Sequence, residues 1–164
     1  YNTFTGSHYT PGEDADRALL KPGMLLEATG DPLVEFLEQI EADGLDERGG
    51  IKEGRRFKAF TPGHLVRSRI ARTKGSKAAY GVWGGQDKEG RDLVLALGGG
   101  LCFVANKGRP IDVGDYLMAS DVPGAVEKQL DDICRNSTVA KAMQSVVWRM
   151  NETSRQIACI YLGG

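Results

Sequence analysis

Short apolar stretches separated by glycines and polar residues make up most of this sequence. Nine of these stretches have the length and residue types of β-strands. They are residues 24–28, 65–70, 79–83, 93–97, 101–105, 116–119, 138–143, 145–150 and 156–162. The stretches 93–97 and 101–105 are almost continuously apolar, which is typical of strands buried on both faces or in a subunit contact. The pattern predicts a mainly β protein.

Three of the apolar stretches share one way of beginning. Gly23, Gly63 and Gly114 are each followed by one variable residue, two apolar residues, another variable residue and then a small residue. Such a pattern indicates a turn that opens into a strand where another backbone approaches closely. We therefore expect a compact β-barrel or a folded sheet. The run Gly98-Gly99-Gly100 between two apolar stretches is interpreted as a hairpin turn.

One segment, residues 32–43, has the period of an amphipathic helix instead. Its apolar residues recur at helical spacing: Leu33, Phe36, Leu37 and Ile40. Asp31 suits the N-cap, Pro32 the first helical position and Gly44 the residue after the end. We expect this helix and the charged loop after it to be an insertion at about 31–57 in a single domain spanning 1–164. A second short helical turn is expected within residues 14–21.

The length and the net charge of the chain limit the classes of partner that it can bind. The chain has 164 residues and a formal net charge of −1, so it offers no broad field for nucleic acid or an anionic membrane. No apolar run approaches the roughly 20 residues of a bilayer span. The chain begins Tyr1-Asn2-Thr3-Phe4, without an initiator Met or a basic and apolar leader. We expect a piece of a longer protein, with neither nucleic acid nor membrane as a partner.

Motifs of established enzyme chemistry are absent from the sequence, which contains no zinc-protease, nucleophile-elbow, Walker or dinucleotide pattern. The three cysteines fit no zinc spacing, and Cys102 and Cys159 lie in apolar runs, which predicts small buried side chains. We expect no metal and no cofactor. The residues left for chemistry are near the start of the chain: Ser7, His8 and the carboxylates Glu13, Asp14 and Glu27.

A local positive stretch allows two interpretations. It consists of Arg67, Arg69, Arg72, Lys74 and Lys77. These residues either form a solvated strand edge or meet an anionic ligand such as a phosphate group or a surface glycan.

The second half of the chain resembles a known family. The resemblance lies in Gly114-Asp115-Tyr116, Ser120, Pro123-Gly124, then Asn136, Thr138 and Lys141, with a shorter Phe4-Thr5-Gly6-Ser7-His8 match upstream. Together these residues resemble the intramolecular chaperone autoprocessing domain, a C-terminal autoproteolytic domain of the glutamic-peptidase type. It is found in phage tail-spike and neck-appendage proteins and in related viral and extracellular proteins.

The resemblance implies a function in assembly. Members form homotrimers, nucleate the folding of an upstream stalk or β-helix of the same chain, and in some cases cut themselves off through acidic residues. It leaves open whether this chain cleaves itself, an activity of at most one turnover. Ser7, His8, Glu13, Asp14 and Glu27 are then the candidates for catalysis, in a protein of the virion or the extracellular space. The alternative is a non-catalytic tip module that binds a ligand or receptor, for which Tyr80, Trp83 and Trp148 would surround a pocket.

Overall fold

The structure is a computed structural model that describes residues 6–9, 14–42, 56–88 and 90–163. Side chains are described for 16–31, 66–88 and 90–163. The elements are β1 (Gly6–Tyr9), α1 (Asp14–Arg17), β2 (Leu25–Ala42), β3 (Arg56–Ile70), β4 (Ala79–Gln86), β5 (Asp92–Ala105), β6 (Tyr116–Ala119), β7 (Val126–Lys128), β8 (Thr138–Ala142) and β9 (Ser154–Leu162). The prediction of a mainly β protein is confirmed.

Five strands close a barrel in the order β5, β7, β6, β8 and β9, with β9 returning to pair with β5. The pairs are antiparallel except β5 with β7, which meet in parallel at Val104 and Val126. The ladder of β5 with β9 runs from Leu97 opposite Leu162 to Ala105 opposite Ser154. Closure satisfies backbone groups that an open sheet would leave at its edges.

The remaining strands extend the sheet from β5. β4 pairs with the first part of β5, β2 pairs with β4, and β3 pairs with β2. β1 pairs with the same part of β5, so that β4 and β5 lie between β1 and β2. The chain divides into two compact units, residues 1–31 with 66–164, and residues 32–65. The second unit contains the later part of β2 and the earlier part of β3.

The core lies inside the barrel. Leu117, Val126 and Ile157, from three barrel strands, are each at most 1% exposed. Cys102 and Cys159 pack in the same cluster, which confirms that they are buried apolar side chains. A smaller cluster outside the barrel is formed by Leu26, Ile70 and Val94, with Leu20, Met24, Tyr80 and Trp83 packed against it.

The Gly98-Gly99-Gly100 run is a strand and not the predicted hairpin turn. It continues β5 without interruption, and its residues lie opposite Tyr161, Ile160 and Cys159 of β9. Gly100 is needed because the Tyr161 side chain crosses the backbone there, and its hydroxyl donates to the carbonyl oxygen of Leu101 at 2.6 Å. Gly98 has a φ of 96°, a conformation that favours glycine.

The helix predicted over residues 32–43 is not confirmed. The backbone is extended strand in β2 up to Ala42, and residue 43 lies outside the described part of the chain. The segment also satisfies the strand period, because Val34, Phe36, Ile40 and Ala42 fall on alternate positions. Pairing of β2 with β3 supplies backbone hydrogen bonds that the helical pattern alone does not predict.

Other local predictions have mixed outcomes. Gly23 and Gly114 have positive φ angles of 94° and 97° and precede β2 and β6, so two of the three predicted turn openings are confirmed. The third is wrong, because Gly63 lies inside β3. The predicted strand at 145–150 is also wrong, since only Val146 forms a bridge there, with Ile111. The helical turn expected within 14–21 is the four-residue α1. Among the described residues no helix combines the length and the apolarity that crossing a bilayer requires.

Candidate functional site

The motif that carries the family resemblance builds the β6–β8 side of the barrel. The Asp115 carboxylate accepts a hydrogen bond from the Asp112 amide at 2.7 Å in its own turn, and it also pairs with Lys128. Tyr116 lies opposite Lys141, whose ammonium is 5.1 Å from the centre of the tyrosine ring. These contacts fix the turn and the strand pair that follows it.

The rest of the motif joins the barrel to its surroundings. Gly124, with a φ of 72°, donates to the carbonyl of Ala71 and accepts from the amide of Leu25. Buried Thr138 donates to the Gln129 side chain at 2.6 Å. Asn136 and Pro123 are exposed, and Pro123 lines an open apolar groove of about 600 Å³.

An apolar surface covers the outer wall of the barrel where β5 meets β9. Leu97 lies opposite Leu162, Gly99 opposite Ile160 and Leu101 opposite Ala158. Alternate residues on a strand share a face, so all six point outward while their neighbours enter the core. The exposed fractions of the four large side chains are 51% for Leu97, 48% for Leu101, 38% for Ile160 and 37% for Leu162. We call Leu97, Gly99, Leu101, Ala158, Ile160 and Leu162 the apolar stripe.

A second feature is a cavity of about 220 Å³ beside β7. Four cationic side chains and one carboxylate line it: Lys74, Lys107, Arg109, Lys128 and Glu127. We call it the cationic pocket. Buried Glu127 accepts hydrogen bonds from Ser120 Oγ at 2.9 Å and is paired with the Lys74 ammonium at 2.6 Å. This explains how Ser120, which is 0% exposed, and Glu127 can both be buried.

The positive stretch, which begins in the last residues of β3 and continues beyond it, is largely engaged with buried carboxylates. Arg69 bonds to Glu27 at 2.9 Å, and Arg72 bonds to Asp16 at 2.8 Å. Lys74 is the residue paired with Glu127 in the cationic pocket. Each of these pairs joins the positive stretch to another element, so the stretch stabilises the fold. An anionic partner for the stretch stays a prediction.

The residues predicted for catalysis occupy different places. Ser7 and His8 lie in β1 opposite Leu95 and Val94 of β5. Glu27 is 3% exposed in β2 and accepts hydrogen bonds from Arg69 and from Ser76 Oγ at 2.6 Å. β1 and β2 are separated by two strands, about 14 Å at the usual strand spacing. Asp14 is the first residue of α1, and Glu13 lies outside the described residues. Their roles in cleavage stay predictions.

The three aromatic residues of the alternative interpretation have structural contacts. Trp83 donates to Asp92 at 3.2 Å, and the Tyr80 hydroxyl forms a hydrogen bond with Ser68. Trp148 donates to the carbonyl of Arg109 at 2.6 Å. None of the three lines the cationic pocket or the apolar groove.

Several residues of these surfaces were not singled out from the sequence. Arg109 and the adjacent pair Glu127 and Lys128 come from two separate segments and show no motif, so only the fold brings the arginine to that pair. The alternation of Leu97, Gly99 and Leu101 was visible, but the interpretation of the glycines as a turn concealed the shared face. Within the described ranges, no group of three or more His, Cys, Asp or Glu side chains is placed to hold a metal ion.

Comparison with known proteins adds no relative, since no family model, no curated protein and no solved structure matches this chain.

Proposed function

We propose that this chain is an assembly module that joins copies of a fibrous or spike-like protein into a homotrimer at its C-terminal end. The observation that supports the proposal best is the apolar stripe. The outer wall of a small barrel in water usually carries polar side chains, and here two adjacent strands present Leu and Ile instead.

A second copy of the chain is the occupant that suits the stripe. The stripe consists of four large apolar residues, one glycine and one alanine on two paired strands, and contains no charged residue. Obligate contacts between identical subunits are depleted in charge and more apolar than other interfaces. Burying four half-exposed Leu and Ile side chains would provide the main driving force for association.

The stoichiometry and the chaperone role come from the family resemblance. The stalk segments of three separate chains cannot align in a common register efficiently while those chains are dilute. A module that associates first raises the effective concentration of the attached segments, often to the millimolar range. The upstream stalk or β-helix of the same chain would then fold in register, in a protein of the virion or the extracellular space.

Self-cleavage is the remaining part of the proposal. A single cut after assembly would release the module, with one carboxylate activating a hydroxyl or water and another protonating the leaving amine. Ser7, His8, Glu13 and Asp14 are the candidate residues. Glu27 holds Arg69 and Ser76, so its replacement would disturb the fold as well as any cleavage.

The assembly state tests the main claim. We expect the purified protein to be a trimer at micromolar concentration by native mass spectrometry, and Leu101→Lys or Ile160→Lys to give monomers. Val147→Lys is the matched control, because Val147 is 78% exposed on a loop outside the stripe. A monomeric wild-type protein would overturn the proposal, as would equal dissociation of the Val147 variant. Circular dichroism spectra check that each variant is folded.

Self-cleavage is tested separately, with a version of the protein that includes more of the chain. The module is expressed with its natural upstream segment, and the products are measured by intact mass. A correctly assembled trimer that remains uncut rules out autoprocessing and leaves the assembly function in place. If the chain is cut, Glu13→Gln and Asp14→Asn should each preserve assembly and reduce the cut fraction.

A further inference from the structure

The cationic pocket has more positive charge than its own carboxylate requires. Glu127 is satisfied by Lys74 at 2.6 Å and by Ser120 at 2.9 Å. Lys107, Arg109 and Lys128 therefore remain around the cavity. The whole chain has a net charge of −1, so this concentration is a local property of the fold.

Two of the remaining cations have partners outside the cavity wall. Lys107 pairs with Asp121, which is 62% exposed, and lies 3.9 Å from Glu127. Lys128 pairs with Asp115 at 2.7 Å. The hydrogen bond with Asp121 raises the pKa of the Lys107 ammonium, which therefore stays charged at neutral pH. Neither Asp115 nor Asp121 lines the cavity, so both lysines can still act on an anion within it.

Arg109 differs from the other three cations. Among the described residues no carboxylate forms an ion pair with its guanidinium, although its backbone is firmly held. Its carbonyl accepts from Trp148 Nε1 at 2.6 Å, and the preceding Gly108 amide donates to the Asn106 side chain at 2.8 Å. Pro110, the next residue, restricts the backbone of Arg109 to extended conformations. Binding a ligand therefore requires little further ordering of the backbone at Arg109.

The size and the charge of the cavity limit the ligand. A volume of about 220 Å³ corresponds to roughly seven waters at about 30 Å³ each. It is smaller than the usual range for drug-sized ligands, about 300 Å³ and above. Lys74, Lys107 and Lys128 are each paired with a carboxylate, so Arg109 supplies the excess positive charge that favours an anion. Several cationic donors around one cavity suit an anion with several oxygens. The guanidinium fork matches two oxygens of a tetrahedral oxyanion.

We propose that the cationic pocket binds a small oxyanion of the phosphate class. Arg109 is its bidentate donor, and Lys107 and Lys128 supply the flanking charge. The site is independent of the proposed assembly function, because none of its residues belongs to the apolar stripe. The phosphate group could be free in solution or attached to a larger molecule, since the cavity opens to the surface beside exposed Arg109.

Titration of the folded protein with inorganic phosphate at low ionic strength tests the site by amide chemical shifts in NMR. We expect saturable shifts around Arg109 and Lys128, similar shifts with sulfate, and much weaker ones with acetate. Arg109→Ala should weaken phosphate binding by about tenfold or more, because it removes charged hydrogen bonds. The phosphate affinity of Arg109→Lys should lie between those of the wild type and Arg109→Ala, since lysine keeps the charge and lacks the two-pronged guanidinium.

Arg91→Ala is the matched control, because Arg91 pairs with Asp87 in the turn between β4 and β5 and does not line the pocket. It should bind phosphate like the wild type. The proposal fails if no saturable shift occurs, if acetate binds as well as phosphate, or if the Arg109 and Arg91 variants bind equally. A phosphate ester that binds more tightly than inorganic phosphate would identify an attached group as the ligand.

Discussion

The side chain of Tyr161 fills the space into which a side chain at Gly100 would extend. A Cβ atom at Gly100 would lie less than 3.0 Å from three atoms of the tyrosine, closer than real Cβ contacts. The ring is held in place by the hydrogen bond from its hydroxyl to the carbonyl of Leu101 at 2.6 Å. Tyr161 is 3% exposed, so it has no free space to move into. The pair joins β5 to β9 inside the barrel wall.

Gly100→Ala should therefore destabilise the protein by about 2 kcal/mol or more through overpacking. Gly99→Ala is the matched control: the two glycines are adjacent in β5, neither has a positive φ, and no atom lies within 4 Å of a Cβ at Gly99. Gly99 lies in the apolar stripe, so both substitutions are made in the Leu101→Lys variant, which is expected to be monomeric, and are measured by urea unfolding at one protein concentration. Equal losses for the two substitutions would contradict the packing argument.

Tyr161 should also make stability sensitive to alkaline pH. Burial raises the pKa of its hydroxyl well above the usual value of 10.0. A pKa that is higher in the folded state gives a stabilisation that is complete below about pH 10 and is lost as the pH rises further. Tyr161→Phe should lose about 1 kcal/mol at neutral pH through the missing hydrogen bond. Between about pH 9 and about pH 11 it should lose less stability than the wild type.

Urea unfolding across that pH range measures the difference. Tyr116→Phe is the control, since it removes another tyrosine hydroxyl and leaves Tyr161 intact. The stability of Tyr116→Phe should fall at alkaline pH by as much as that of the wild type. If the stability of Tyr161→Phe falls at alkaline pH as much as that of the control, then ionisation of Tyr161 does not cause the fall.

The strands of the barrel could be predicted wherever local sequence alone determines the outcome. The apolar run 101–105 has only one reasonable structure, because its residues favour strands and are too few for a helix. The Gly98-Gly99-Gly100 run could not be assigned in this way. Glycine suits both a turn and a crowded strand, and the choice depends on Tyr161, about 60 residues away in the chain.

The segment 32–42 and the cationic pocket show the same limit. Val34, Phe36 and Ile40 satisfy a strand period, while Leu33, Leu37 and Ile40 satisfy a helical one, so the pairing with β3 decides. The pocket combines Lys74, Arg109 and Lys128 from three separate segments. No local pattern contains that information, because the closure of the barrel places these segments together.

The ion pair between Arg72 and Asp16 provides a third test. The Asp16 side chain is 5% exposed and accepts hydrogen bonds from Arg72 at 2.8 Å and from the Ile70 amide at 2.6 Å. Arg72→Ala leaves a buried carboxylate without its counter-ion and should cost about 3 kcal/mol.

Arg135→Ala is the matched control for this pair. Its partner Asp131 is 44% exposed, and water can replace the lost arginine there, so the loss of stability should be much smaller. Thermal unfolding of both variants measures the difference. A loss for Arg72→Ala no greater than that for Arg135→Ala would show that Asp16 is better solvated than the structure indicates.

The three cysteine thiols should differ sharply in how fast a thiol reagent modifies them. Cys134 is exposed, whereas Cys102 and Cys159 are buried inside the barrel. The hydrogen bond with Cys159 and burial raise the pKa of the Cys102 thiol well above its ordinary value, so the reactive thiolate is scarce. At neutral pH, an aromatic disulfide reagent should therefore modify one thiol quickly in the folded protein and all three in guanidinium. Cys134→Ser should abolish the fast reaction and leave the two slow ones. Fast modification of Cys102 or Cys159 in the folded Cys134→Ser variant would mean that the barrel opens between β5 and β9, where both residues lie.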